Sequence, residues 1–196
     1  MAWTAPTTRV NGDIITASIW NADLVENLKF LNERVLFRNT TDSAAITGTS
    51  EEEFDTNVQH TPASGYLNLE DKCIRITLYG IFTSGVGQTN ILRLRFNSTS
   101  QLGSNTVTMP NSRTNAPWKS VMEFRVVTAG ASAQIFGTVH TWYDSGSAPT
   151  QDMSGGTSSA YNLTGSQIIK VTKQFGAGGN SITMKSMIIE DLKAAV

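Results

Sequence analysis

ILRLRFN, Ile91 to Asn97, is the stretch on which the fold turns. Leu92, Leu94 and Phe96 fall on one side of an extended chain, and Arg93 and Arg95 fall on the other. A period of two belongs to a strand with one face against a core and one face in water. VMEFRVV, Val121 to Val127, repeats the pattern: Met122, Phe124 and Val126 oppose Glu123 and Arg125.

From these two stretches the same reading extends along the chain. Short apolar runs alternate with turn-forming clusters at intervals of roughly 8–12 residues, the signature of an all-β domain. The runs predict strands at Tyr66–Leu69, Ile74–Phe82, Ile91–Phe96, Thr106–Met109, Trp118–Thr128, Ala133–Tyr143, Ala160–Leu163, Gln167–Phe175 and Ser181–Leu192. SGVGQ, LGSN, TAGAS, SGSAP, SGGTSS and GAGGN between them are turn chemistry. No run between them is long enough for a helical crossover, so the sheets are expected to be antiparallel. The strand number fits a two-sheet sandwich of the jelly-roll kind.

The β pattern begins near Phe54. Before it, TASIWNADLVENLKFLNERVLF (Thr16 to Phe37) is the one long segment with helical periodicity, and Thr16 is placed to cap it. Leu24, Leu28, Leu31 and Val35 recur at spacings of four, three and four, and Asn21 lies one step earlier on the same seam. An Asn at such an inward position fixes register and oligomer state. Two readings stay open: a helix lying on its own domain, or a seam shared with a partner. The expected organisation is an arm and anchoring helix over 1–37, a polar linker over 38–53 and the β domain over 54–196. Ile168-Ile169, Val126-Val127 and Met187-Ile188-Ile189 place apolar side chains on both faces of their strands. Such strands need cover outside as well as inside, either overlying loops or a second subunit.

Composition narrows the function. A formal net charge of −1 over 196 residues supplies no basic field for a phosphate backbone, which argues against nucleic acid as partner. The single cysteine, Cys73, sits in an apolar run and reads as a core or near-core residue without an intrachain disulfide. No apolar run reaches the roughly 18 residues of a transmembrane helix, and no charged-then-apolar leader opens the chain. Synthesis in a cytoplasm without a secretion signal is the expectation.

Catalytic chemistry is not indicated. The two histidines, His60 and His140, stand in no ligand spacing with each other or with Cys73. Nucleophile-elbow, zinc-protease and phosphate-loop motifs are missing, and GAGGN reads as a hairpin turn. Glu51-Glu52-Glu53 lacks the oxygen spacing of a calcium loop and reads as a solvated patch. No enzyme activity, metal or cofactor is therefore expected. Trp142, Tyr143 and Tyr161 flank the long polar stretch SGSAPTQDMSGGTSS. Aromatics beside loops stack on sugars, so these three are candidate glycan or receptor contacts; the alternative is that they are core and strand aromatics.

Gly12-Asp13, Thr16-Ala17, Trp20-Asn21 and Asn27 to Leu31 resemble an N-terminal motif of tailed-bacteriophage virion proteins. The β region is similar to the C-terminal domains that accompany that motif: a strand ending at Tyr79-Gly80, the ILRLR strand, a Trp-led strand from Trp118 to Gly130, and a last strand closing near Glu190. The resemblance implies a jelly roll like those of the tumour necrosis factor family, assembled as a homotrimer. It also implies a structural or adhesive virion appendage, released by lysis, such as a capsid decoration, head fibre or small tail-associated fibre. Trp20, Asn21, Leu24, Leu28, Leu31 and Val35 would then anchor it to other capsid or tail proteins, with host-surface glycan as the alternative partner.

Overall fold

The structure, a computed structural model, describes residues 35–103, 106–146 and 150–192. The described chain is almost entirely β. Its strands are β1 (Val35–Asn39), β2 (Glu52–Glu53), β3 (Gln59–His60), β4 (Cys73–Ser84), β5 (Thr89–Phe96), β6 (Thr99–Gly103), β7 (Val107–Thr108), β8 (Arg113–Thr128), β9 (Ala133–Tyr143), β10 (Thr150–Tyr161), β11 (Ile169–Phe175) and β12 (Ser181–Asp191). Sheet I runs β1-β12-β4-β8-β9-β10; sheet II runs β2-β11-β5-β6, with β3 also on β11 and β7 also on β5. All these pairings are antiparallel. In both sheets early strands pair with late ones: β1 and β4 with β12, and β2, β3 and β5 with β11.

The alternation in the sequence is what fills the space between the sheets. Leu92, Leu94 and Phe96 of sheet II are buried, as are Met122, Phe124 and Val126 of sheet I. Phe96 meets Phe124 edge-on across the two layers, at 5.1 Å and 69°. Each such side chain contributes about 1.5–3 kcal/mol when withdrawn from water. On the far side of β5, Arg93 and Arg95 turn outward to Glu51.

The centre of sheet I is set by a glycine. Gly80 of β4 lies directly opposite Trp118 of β8 and Met184 of β12. A Cβ on Gly80 would stand 2.5 Å from the Trp118 indole nitrogen and closer still to the Thr183 carbonyl. Without it, the indole crosses β4, donates to Thr183 O at 3.3 Å, and stacks on Phe54 at 5.9 Å and 17°. At the same level β12 carries a bulge between Met184 and Ser186. The extra residue lets Ile182 and Met184 before it, and Met187 and Ile189 after it, all point inward.

Several boundaries differ from the sequence expectation. Trp20, Asn21, Leu24, Leu28 and Leu31 lie outside the described residues. Val35, Leu36 and Phe37, expected to close the helix, instead form β1 against β12. A β-branched residue and an aromatic suit an edge strand, and Phe37 packs on His60 at 5.6 Å. Residues 38–53 are likewise no free linker. Ser43 and Ile46 hydrogen-bond to Met184 and Ile182, Ile46 is buried, and β2 pairs with β11. Tyr66–Leu69 is a run of turns, with Gly65 and Asp71 at positive φ. Its Tyr66 hydroxyl and the Lys72 ammonium both reach Asp191, closing the end of the last strand. The polar stretch after Tyr143, expected as a loop, is largely β10, the edge strand beside β9.

Gly80→Ala is expected to lower unfolding stability by about 3 kcal/mol or more, because neither a carbonyl nor a stacked indole can yield cheaply. Gly178→Ala, with no atom within 4 Å of the added carbon, is expected to change it by less than about 0.5 kcal/mol. Urea denaturation of the two variants checks this; equal midpoints would remove Gly80 from the organising role.

Candidate functional site

The outer face of sheet I gathers the exposed aromatic side chains. Alternation sends Tyr79 of β4, Lys119 of β8 and Trp142 of β9 outward, and register sets them in one row: Tyr79 opposite Lys119, and Lys119 opposite Trp142. Two strand spacings of about 4.8 Å put the aromatic positions about 10 Å apart. The Lys119 ammonium lies between the rings, 5.3 Å from the Tyr79 centroid and 5.6 Å from the Trp142 centroid. Tyr79 is 42% exposed, and Lys119, Trp142 and His140 are half-buried. His140, two residues before Trp142 on the same face, stacks on it at 3.8 Å and 34°. Among the described residues Lys119 makes no ion pair, whereas Arg75 on the same face is held by Glu123 at 2.6 Å.

Further along this face the surface turns apolar. Val127 of β8 is 41% exposed, and Phe136 of β9, opposite Arg125, is 51% exposed. Phe136, Thr138, Glu123 and Cys73 line a shallow depression of about 220 Å³. Cys73 is half-buried on the outer face, and burial pushes its thiol pKa up. Val127 and the half-buried Ile188 are the outward members of the doublets noted in the sequence, while Val126, Met187 and Ile189 point into the core.

Tyr143 and Tyr161 do not join this surface. Tyr143 alternates with Trp142 and therefore faces inward, fully buried, edge-on to Phe82 at 5.1 Å, its hydroxyl accepting from Asn90. Tyr161 is 6% exposed and meets Phe96 edge-on at 6.2 Å. Neither can stack on a sugar. Val35 is exposed on β1, opposite Glu190. Nothing in the sequence marks Tyr79 or Lys119 as a neighbour of Trp142; only the register of three strands brings them together.

The displaced titrations lie in sheet II. Glu51 receives two nitrogens of Arg95, at 2.5 and 2.6 Å, with Thr172 and Arg93 close by. Arg95 is the main cause of a carboxyl pKa lowered to about 2. Glu53 pairs with Lys170, so the acidic run is largely neutralised by sheet II and is not a solvated patch. Lys173 is the opposite case. It points into the core with no exposed surface, over the Phe175 ring, and its hydrogen bond goes to Gly48 O at 3.4 Å. Desolvation lowers its pKa to about 7, with Glu52 opposing. Among the described residues no three His, Cys, Asp or Glu side chains gather as a metal site.

No family model matches the chain, and no curated protein matches it. Among solved structures it is similar to the CBM2 module of the evolved Dit of Lactobacillus casei BL23 phage J-1, at 9% identity and TM-score 0.30, covering 67% of each chain. It is also similar to the VP2 subviral particle of infectious bursal disease virus, at 12% identity and TM-score 0.27, covering 83% of this chain and 42% of that one.

Lys173 gives the domain a defined pH response. The unfolded lysine keeps its proton to about 10.5 and the folded one to about 7, so between those values the unfolded chain binds more protons and stability rises with pH. Below pH 7 the charged amine is buried at full penalty, about 1.4 kcal/mol for each tenfold loss of proton affinity on folding. Lys173→Met is therefore expected to be more stable than the parent by a few kcal/mol near pH 6, with the gap closing towards pH 10. Denaturation midpoints across that range test it; a gap independent of pH would mean that Lys173 is not charged by acid inside the core.

Proposed function

We propose that this chain is a structural protein of a bacteriophage particle: a homotrimeric surface appendage whose β domain faces outward and whose N-terminal segment binds other virion proteins. On this reading the domain is a jelly roll. The strand order supports it, since first and last strands pair in both sheets and successive strands pass from one sheet to the other, as in β3→β4, β4→β5, β7→β8, β10→β11 and β11→β12. The motif Gly12-Asp13, Thr16-Ala17 and Trp20-Asn21 supports the virion assignment. Capsid decoration, head fibre and small tail-associated fibre all fit the proposal, and we assign no catalytic role.

The observation that carries the assembly reading is the apolar end of sheet I. Phe136 and Val127 stand half out of water on strands whose inner faces are already packed. We assign these two exposed apolar side chains to contact with a second copy of the chain, which would supply their cover. The charge pairs on the same face, Arg75 with Glu123 and Arg125 with Asp71, are satisfied within the chain and leave the apolar positions as the contact.

Light scattering of the full chain is expected to give three times its 21.2 kDa mass. Phe136→Asp is expected to shift that mass towards one chain while the thermal transition of the β domain survives. A single-chain mass for the unaltered protein at micromolar concentration would reject the trimer.

Immunogold labelling of intact particles from a producing lysate tests the rest of the proposal. Label on the capsid supports a decoration or head fibre, and label at the tail end supports a tail-associated fibre. Unlabelled particles would overturn the virion assignment.

A further inference from the structure

We propose that Tyr79, Lys119 and Trp142, with His140 behind Trp142, form a binding surface for an anionic saccharide. The rings and the cation complement the two chemistries of such a ligand. Pyranose rings carry faces of C–H groups that pack on aromatic rings, and a sugar carboxylate or phosphate pairs with an ammonium. Tyr79 and Trp142 lie at either end of the row, about 10 Å apart across two strand spacings, roughly the reach of a disaccharide.

Three observations favour this ligand over a plain apolar contact. Lys119 holds its ammonium between two rings, 5.3 and 5.6 Å from their centroids, and among the described residues no carboxylate neutralises it. Arg75 and Arg125, further along the same face, are paired with Glu123 and Asp71, so among the described residues Lys119 is the cation of this row without an ion pair. The Trp142 ring is backed by the His140 ring at 3.8 Å, which fixes its orientation and reduces the side-chain entropy lost when a ligand stacks. An uncharged partner would leave a desolvated ammonium without compensation. A ligand anion would provide it.

This surface is distinct from the apolar end around Phe136, and it does not rest on the chain's being carried by a phage particle. The purified full-length protein, screened on a glycan array of neutral, carboxylate-bearing and phosphate-bearing glycans, tests it. Binding confined to acidic glycans is expected, and whether carboxylate or phosphate spots respond identifies the source of the charge. Titration of the best-binding glycan is then expected to weaken about ten-fold or more in Trp142→Ala and in Lys119→Met, with unfolding midpoints unchanged. Tyr79→Ser provides a second aromatic variant if Trp142→Ala does not fold.

A blank array overturns the proposal, as does binding restricted to neutral glycans. So does acidic-glycan binding that survives Trp142→Ala, or that inorganic polyphosphate displaces equally well in parent and Trp142→Ala, since a charge effect alone needs no ring. A blank array together with a lower oligomeric mass for Trp142→Ala would instead assign the row to a contact between copies of this chain.

Discussion

The position of Trp118 over Gly80 is the constraint on which the rest of the domain depends. A β-sheet of mixed large side chains leaves no room for an indole to lie across a neighbouring strand. Here one residue without a side chain opens that room, and the indole spans β8, β4 and β12 while stacking on Phe54 from the segment after β2. The strands so tied are the centre of sheet I. The β12 bulge lies beside this point, and beyond the Gly80 position the chain resumes with its inward set restored. Had β12 continued without the extra residue, Met187 and Ile189 would face water and Ile188 the core.

Closure at the edges relies on polar contacts where the apolar core thins. Asp191 at the end of β12 collects the Tyr66 hydroxyl and the Lys72 ammonium, and the Lys72 Nζ also lies 3.8 Å over the Tyr66 ring. This cluster ties the turns before β4 to the end of the described chain. On sheet II, Glu51 draws in Arg95, Arg93 and Thr172, anchoring the short β2 edge. Lys173 runs against this pattern, since its ammonium is taken into the core with weak compensation. The Gly48 carbonyl, the Phe175 ring and Glu52 offset that desolvation only in part, so the cost is expected at neutral and acid pH.

Much of the fold is legible in the sequence because its central strands obey strict alternation. ILRLRF and VMEFRVV announce both their burial and their facing, and the expected strand Ala133–Tyr143 matches β9 to the residue. The edges are not legible. β10 reads TQDMSGGTSSAY, almost without apolar residues, because an edge strand is held by its ladder to β9 and needs no hydrophobic period. β2 and β3 are two-residue pairings, too short for any period to register. β1 reads as the end of a helix because its Val35 continues a seam of leucines; only pairing with β12 distinguishes the two. The bulge explains a further ambiguity. Met187-Ile188-Ile189 is apolar on both faces by sequence, and the structure resolves it into two core residues and one outward isoleucine.

The candidate site is legible only in part, and the reason is geometric. Sequence reasoning groups Trp142, Tyr143 and Tyr161 because they flank one stretch of chain. A pleated strand separates neighbours, however, so Trp142 and Tyr143 must lie on opposite sides of sheet I, and one of any adjacent pair in a sandwich belongs to the core. A surface on a sheet face is assembled across strands, from residues separated in sequence by one or more whole strands, as Tyr79, Lys119 and Trp142 are. Such a group has no linear motif and requires the register of β4, β8 and β9 to be known. Because Gly80 sets that register with Trp118, the residues next to them, Tyr79 and Lys119, are brought opposite each other on the other face. The packing that closes the core thus also aligns the row that faces outward.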